Sequence, residues 1–341
     1  MTSIQVQVEP ADASVATLAG GDVKEFFITV TSDASTPLAE QLQAALAEVS
    51  ARDAEIVMID IFAPLNQPAD LPAGVPVMWI DSGHTHGSNL GGVQIHAITG
   101  TPVERISLGD AVVGTVYQGP FGRYCRMTGV ACADTSASRY DQAISTYERM
   151  EEALKLAGME FSDVIRTWLY LADILDWYDE FNAARDEYFT GKKTFDKLVP
   201  ASTGIGGQNH FGAAMATGLM AIQPTGGAIM QEIISPLQCS ALDYGSSFSR
   251  AAELTAEGKL KRLWISGTAS IEPEGATVFV DDIAGQIDMT MQVVEAILTS
   301  RDMTYADATR AIAYFKETAF LDVWREYVAT RPALAAMPCI I

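Results

Sequence analysis

Arginine is the residue type in this chain with the clearest chemistry. Its planar fork donates two parallel N–H bonds to a carboxylate, which a lysine cannot do. Arg250 follows Phe248 on an expected strand. It is either a carboxylate clamp or one half of a surface salt bridge. Arg166 lies inside an apolar strand, between Ile165 and Trp168. An arginine there must be paired or must face a cleft. Arg123, in GPFGRYC, stands at a turn-rich strand entry and is a third candidate. The run Thr203-Gly204-Ile205-Gly206-Gly207 reads as a glycine-rich loop at a strand end. Its N–H groups can cradle a carboxylate, or it is a bare tight turn. These residues point to a small carboxylated molecule as the partner.

Other chemistries find less support. The formal net charge is −21, which repels a phosphate backbone, so no nucleic-acid partner is expected. Cys125, Cys132, Cys239 and Cys339 form no CxxC pair and read as free thiols. His84 and His86, in GHTHG, lack a third ligand nearby and read as a polar loop, so no metal is expected. The glycine run is followed by no Gly-Lys-Ser/Thr and opens no helix, so neither a Walker loop nor a dinucleotide fingerprint is present. No cofactor is expected. MTSIQVQVEP has no basic region and no apolar run, and no stretch is apolar enough to span a bilayer. The reading is a cytoplasmic protein without a membrane partner.

The elements that position these residues come from an internal repeat. Gln142/Gln286, Met159/Met303, Asp163/Asp307, Arg166/Arg310 and Tyr170/Tyr314 all pair at an offset of 144. Each copy predicts a long amphipathic helix, an apolar strand and a second helix. The shared Arg166/Arg310 position favours a structural role for Arg166. Residues 1–100 match more weakly, with a strand at Phe26–Thr31, a helix at Pro37–Val49, and strands at Glu55–Ala63, Pro76–Asp81 and Val93–Ile98. Pro76 to Ile98 and Pro200 to Ile222 each span 22 positions. The expectation is an α+β fold of three tandem units, 1–100, 101–226 and 227–341, with helices on one face of each curved sheet. In the first the second helix is shortened or missing. The third lacks the strand that should follow Pro338-Cys339-Ile340, so a tail beyond Ile341 is expected. Three such units close into a pseudo-threefold ring, as a monomeric pseudo-trimer or within a homo-oligomer. Trp168, Trp177, Trp264 and Trp324 read as core, and Asp281 and Asp282 as a turn or helix start.

The repeat resembles the YjgF/RidA (endoribonuclease L-PSP) superfamily. Phe248-Ser249-Arg250-Ala251 is similar to its P-Y-S-Q-A segment, Ile265-Ser266-Gly267-Thr268 to its S-G-Q strand, and Asp163–Tyr170 to its D-V-V-K-T strand. Within it, Arg166–Tyr170, Pro200–Gly206, Tyr244–Ala251 and Ser266–Ile271 resemble the chorismatase-like multi-domain group. That resemblance implies a cofactor-free hydrolase or lyase that splits an enolpyruvyl ether. Such a reaction needs a general acid of raised pKa and donors for two carboxylates. It implies a cleft between the second and third units. Arg250, Thr203, Gly204 and Gly206 would anchor carboxylates, and Tyr244, Phe248, Ser266, Gly267 and Thr268 would form walls. Arg166, Arg123 and Cys339 are further substrate-binding candidates. The aromatic pair has core packing as its alternative. The group's general acid is a glutamate on the last strand of the final copy, which here would lie beyond Ile341, so no catalytic residue is named. RidA-type deaminases carry P-A-R where this chain has Pro200-Ala201-Ser202 and Pro338-Cys339-Ile340. An imine or enamine deaminase, and a non-catalytic small-molecule binder, are the alternatives.

Overall fold

A computed structural model of the chain describes residues 8–9, 13–31, 36–81, 91–256 and 261–341. His84 and His86 lie outside them. The first unit runs β1 (Val8–Glu9), β2 (Ser14–Gly20), β3 (Val23–Thr31), α1 (Leu38–Ala51), β4 (Glu55–Phe62), β5 (Val77–Ile80) and β6 (Gly92–Thr99). The second runs β7 (Val103–Leu108), β8 (Ala111–Gly119), β9 (Gly122–Ala131), α2 (Arg139–Leu156), β10 (Val164–Leu171), α3 (Tyr178–Gly191), β11 (Ala201–Gly206) and β12 (Met215–Pro224). Their sheets have one order, β1-β2-β3-β6-β4-β5 and β7-β8-β9-β12-β10-β11. In each, the last strand enters the middle, antiparallel to both neighbours. The turn around residues 99–103 joins the two sheets, and that around 224–228 leads into the third unit.

The third unit runs β13 (Ile229–Ile233), β14 (Ala251–Thr255), β15 (Lys261–Ile265), α4 (Ile283–Thr299), β16 (Ala311–Ile312), α5 (Phe320–Ala329), α6 (Pro332–Ala335) and β17 (Cys339–Ile340). Among the described residues its strands form two pieces, β13-β14-β15 and β16-β17, with no strand between. The architecture is α+β, as the repeat predicts.

Local sequence accounts for the elements. On α1, Leu38, Leu42, Ala45 and Val49 are buried at helical spacing and pack on the first sheet. The Ser138 side chain caps α2 by accepting from the Asp141 N–H, and Asp282 caps α4 by accepting from the Gly285 N–H. The repeated Asp163 and Asp307 close the same capping box, bonding back to the Glu160 and Thr304 N–H groups at 2.9 and 2.8 Å. Between β4 and β5 no helix forms, so the first unit packs one helix where the second packs two. Gly129, at φ +75°, lies so close to the Val77 carbonyl that a Cβ would stand 2.2 Å from its oxygen. That approach closes the contact between the first two units.

Among the described residues, no helix is long and apolar enough to cross a membrane.

Candidate functional site: an arginine-lined cleft

The second and third units meet along a backbone seam. The Ser249 N–H donates to the Pro200 carbonyl at 3.2 Å and the Gly267 N–H to the Ser202 carbonyl at 2.9 Å. The Ser202 N–H donates to Ser266 Oγ, and Thr167 Oγ1 to Ser202 Oγ, each at 2.8 Å. Thr268 Oγ1 donates to the Ser266 carbonyl at 2.9 Å. Thr203 lies across the seam from Gly267, where a Cβ would meet it at 3.3–3.4 Å.

At the outer end stands Arg250, 4% exposed. Its Nε donates to the Cys239 carbonyl at 2.8 Å. Its guanidinium carbon lies 5.2 Å from the Tyr244 ring centre and 5.6 Å from that of Phe248. Nη2 is buried with no hydrogen-bond partner among the described residues. Arg250 is therefore no surface salt bridge. A buried guanidinium nitrogen left without an acceptor is costly unless a ligand supplies one. Burial raises the Tyr244 phenol, with Arg250 opposing the shift, so the ring stays neutral.

Farther in, Trp168 is surrounded by cations. The guanidinium carbons of Arg126, Arg166 and Arg310 lie 4.1, 4.8 and 5.5 Å from its ring centre. Asp60 of β4 pairs with Arg310, approaches Arg126 at 3.6 Å and accepts from Thr128 Oγ1 at 2.6 Å. Arg310 Nε also donates to Gln94 Oε1. Arg166 has no carboxylate among the described residues. Its Nη1 donates to the Thr167 carbonyl and its Nη2 to Thr203 Oγ1. Burial first, then the charges of Arg310 and Arg126, pull its pKa down to about 9 against the opposing pull of Tyr314 and Tyr170. The repeat partners Tyr170 and Tyr314 meet here, hydroxyl to hydroxyl at 3.3 Å. One cavity of about 2610 Å³ runs from Tyr244 and Arg250 past Thr203 and Arg166 to Arg310 and the space between β15 and β16.

The structure thus gathers Arg250, Tyr244, Phe248, Thr203, Ser266, Gly267, Thr268 and Arg166 along one cleft. Gly204 and Gly206 also line it, but the reading of residues 203–207 as a loop is wrong. Thr203–Gly206 belong to β11, paired in parallel with β10, and Gly207 donates to the Leu171 carbonyl. These glycines have no positive φ. They allow close approach instead, since a Cβ on Gly206 would stand 3.0 Å from Ile174. No nest forms.

Arg123 is not brought to the cleft. It donates to the Ala157 carbonyl at the end of α2 and lies 3.8 Å from Glu104. Cys339 lines the inner cavity, where burial pushes its thiol up to about 12, so it is no thiolate at neutral pH. Trp177 and Trp324 are core, but Trp168 and Trp264 are half-buried and face the cavity. Sequence reading missed Asp60 and Arg126. Each is a buried charge inside a largely apolar strand, the signal that singled out Arg166.

Residues 125–207 match the family model described as Endoribonuclease L-PSP. A search of curated proteins returned no match. Among solved structures, a chorismatase superposes with a TM-score of 0.61 at 19% identity, covering 84% of this chain and 87% of that one. A YjgF/YER057c/UK114 family member from Mycobacterium tuberculosis aligns over 36% of this chain and 100% of its own, at 19% identity and a TM-score of 0.29. TdcF of E. coli with bound serine aligns over 35% and 92%, at 16% identity and a TM-score of 0.29. The family model thus matches part of the second unit, and the chain as a whole has the fold of the chorismatase.

Proposed function

We propose that the cleft binds a small carboxylated molecule and that the protein is a chorismatase-like enzyme, splitting an enolpyruvyl ether with release of pyruvate. The observation that carries this reading is Arg250. Its buried Nη2, without a hydrogen-bond partner among the described residues, belongs to a guanidinium beside two aromatic rings, in a cavity also lined by Arg126, Arg166 and Arg310. A site of that kind favours an anion with an apolar body.

Arg250 takes the outer carboxylate and the Tyr244 and Phe248 rings wall the body of the ligand. The Thr203 hydroxyl, buried against the cleft, accepts from Arg166, so its own proton is directed elsewhere and it acts as a donor toward the cleft. The general acid belongs to this proposal without an assigned residue. Ser202 stands where a deaminase of this superfamily carries arginine, and its hydroxyl is engaged by Thr167, which disfavours the deaminase reading.

The test is a coupled pyruvate assay with chorismate, run beside an ammonia assay with an imine substrate. Pyruvate release that Arg250→Ala suppresses supports the proposal. Ammonia without pyruvate favours the deaminase. Binding without turnover leaves a ligand-binding protein.

A further inference from the structure

The cleft has a further wall, on α3. Tyr178, Asn182 and Asp186 stand four residues apart, so they share one face of the helix. All three line the cavity that holds Arg250 and Tyr244. The neighbouring face buries Phe181, Arg185 and Tyr188. Arg185 is 3% exposed, and its guanidinium carbon lies 5.1 Å from the Phe181 ring centre. It pairs with no carboxylate among the described residues, and its Nη2 donates to Asn182 Oδ1 at 2.8 Å. An arginine only donates, so the amide oxygen must be the atom that faces it. The Asn182 NH2 group is thereby turned away from Arg185, and it meets no acceptor among the described residues. Asp186 ties this face to the Arg250 segment. Its Oδ1 accepts from Ser247 Oγ, and Ser247, itself buried, stands midway between Tyr244 and Arg250. Its Oδ2 meets no donor among the described residues.

A donor on Asn182 and an acceptor on Asp186 thus lie one helical turn apart, with Cβ atoms roughly 6 Å from each other. A hydroxyl answers both, since its oxygen accepts while its proton donates. A wholly apolar body would cover the two polar groups without replacing their water. A second carboxylate would be repelled by Asp186. We infer that Asn182, oriented by Arg185, and Asp186 form the specificity wall of the Arg250 cleft and read a hydroxyl on the body of the carboxylated ligand. The ligand class is a hydroxylated ring acid. Its carboxylate lies on Arg250, its ring against Tyr244 and Phe248, and its hydroxyl against α3. The inference rests on the reading of Arg250 as a carboxylate clamp and adds what selects among carboxylates.

The test is calorimetry on the full chain with shikimate and with cyclohexenecarboxylate, the same ring acid without hydroxyls. Shikimate is expected to bind roughly tenfold tighter, because its bond to Asp186 is charge-assisted. The readout is the ratio of the two affinities. Asp186→Asn leaves an acceptor for Ser247 but puts a donor where Oδ2 stood, so it should erase most of the preference. Asp186 is half-buried and the change is isosteric, so the fold is kept. Asn182→Ala should also reduce the ratio, whereas Arg250→Ala should weaken both ligands together. Equal affinities on the unaltered protein, or a preference that survives both α3 variants, overturns the inference and leaves the carboxylate clamp standing. So does a parallel loss of both affinities in Asp186→Asn, which would mark Asp186 as a structural tie alone. If neither acid binds, or if binding ignores Arg250→Ala, the clamp itself fails and the hydroxyl wall falls with it.

Discussion

At the residue scale, Arg250 and Arg166 show two ways to bury a cation. Arg250, beside two aromatic rings, leaves Nη2 without a partner among the described residues, whereas Arg166 spends its nitrogens on Thr203 and the backbone. Arg250→Ala should therefore keep its fold and lose affinity for a carboxylated ligand by roughly tenfold or more, since a charge-assisted contact contributes ~1.5–3 kcal/mol. Calorimetry with chorismate checks it, and unchanged affinity removes the clamp. A second residue-scale prediction concerns acid. His96 is buried against Glu25 at 3.1 Å. Burial lowers the His96 pKa below its ordinary 6.5 despite the pull of Glu25, so the folded state holds it neutral. A lowered folded pKa means the unfolded chain binds the proton first, so stability falls as pH drops below about 6.5. His210, also lowered by burial, acts in the same sense. His96→Gln should flatten part of the fall in melting temperature between pH 7 and 5, on the order of one proton's worth. An unchanged slope would count against a neutral His96.

At the element scale, the sequence was most legible where a pattern repeats and least where neighbours decide. The 144-residue offset located α2 and α4, β10 and β16, because helical and strand spacing are local properties, and it paired Asp163 with Asp307 without showing that both close capping boxes. The glycine run of β11 misled, since glycine in a strand and glycine in a loop look alike until the Ile174 side chain beside it is known. Trp264 misled for the opposite reason. Its apolar setting predicts core, but β15 has a neighbour on one side alone. The closest parallel between the copies is the aspartate cap. Asp163→Ala and Asp307→Ala should each cost about 1 kcal/mol, with no change in ligand affinity. Paired denaturation and binding curves test this. A loss of binding from Asp163→Ala would place that turn in the site instead.

At the scale of the whole molecule, the units are held in order by a contact no symmetric trimer could make. Glu25 on β3 pairs with Ile98 in the sheet, and Tyr124 on β9 pairs with Ile222, the matching place one unit on. Arg262 arrives from β15, the third unit's counterpart. Equivalent strands thus bring together an acid, a phenol and a base. Arg262 grips both oxygens of Glu25, and its guanidinium carbon lies 5.3 Å from the Tyr124 ring centre. Burial alone would raise the Glu25 carboxyl, but Arg262 and the hydrogen bond from His96 hold it down to about 2. Three identical residues at this place would repel or leave polar groups unpaired. The asymmetric set instead ties the first unit to the third. Glu25 is 1% exposed and Arg262 8% exposed. Removing one partner strands the other in a dry site, so Arg262→Met should destabilise the chain by roughly 3–5 kcal/mol. Removing both charges together, as Glu25→Leu with Arg262→Met, should cost far less than the sum of the single changes, because neither variant chain then buries an unpaired ion. Urea denaturation of the two single variants and the double variant measures the coupling. Additive losses would mean that Glu25 and Arg262 stabilise the fold through separate contacts and that their pairing does not set the order of the units.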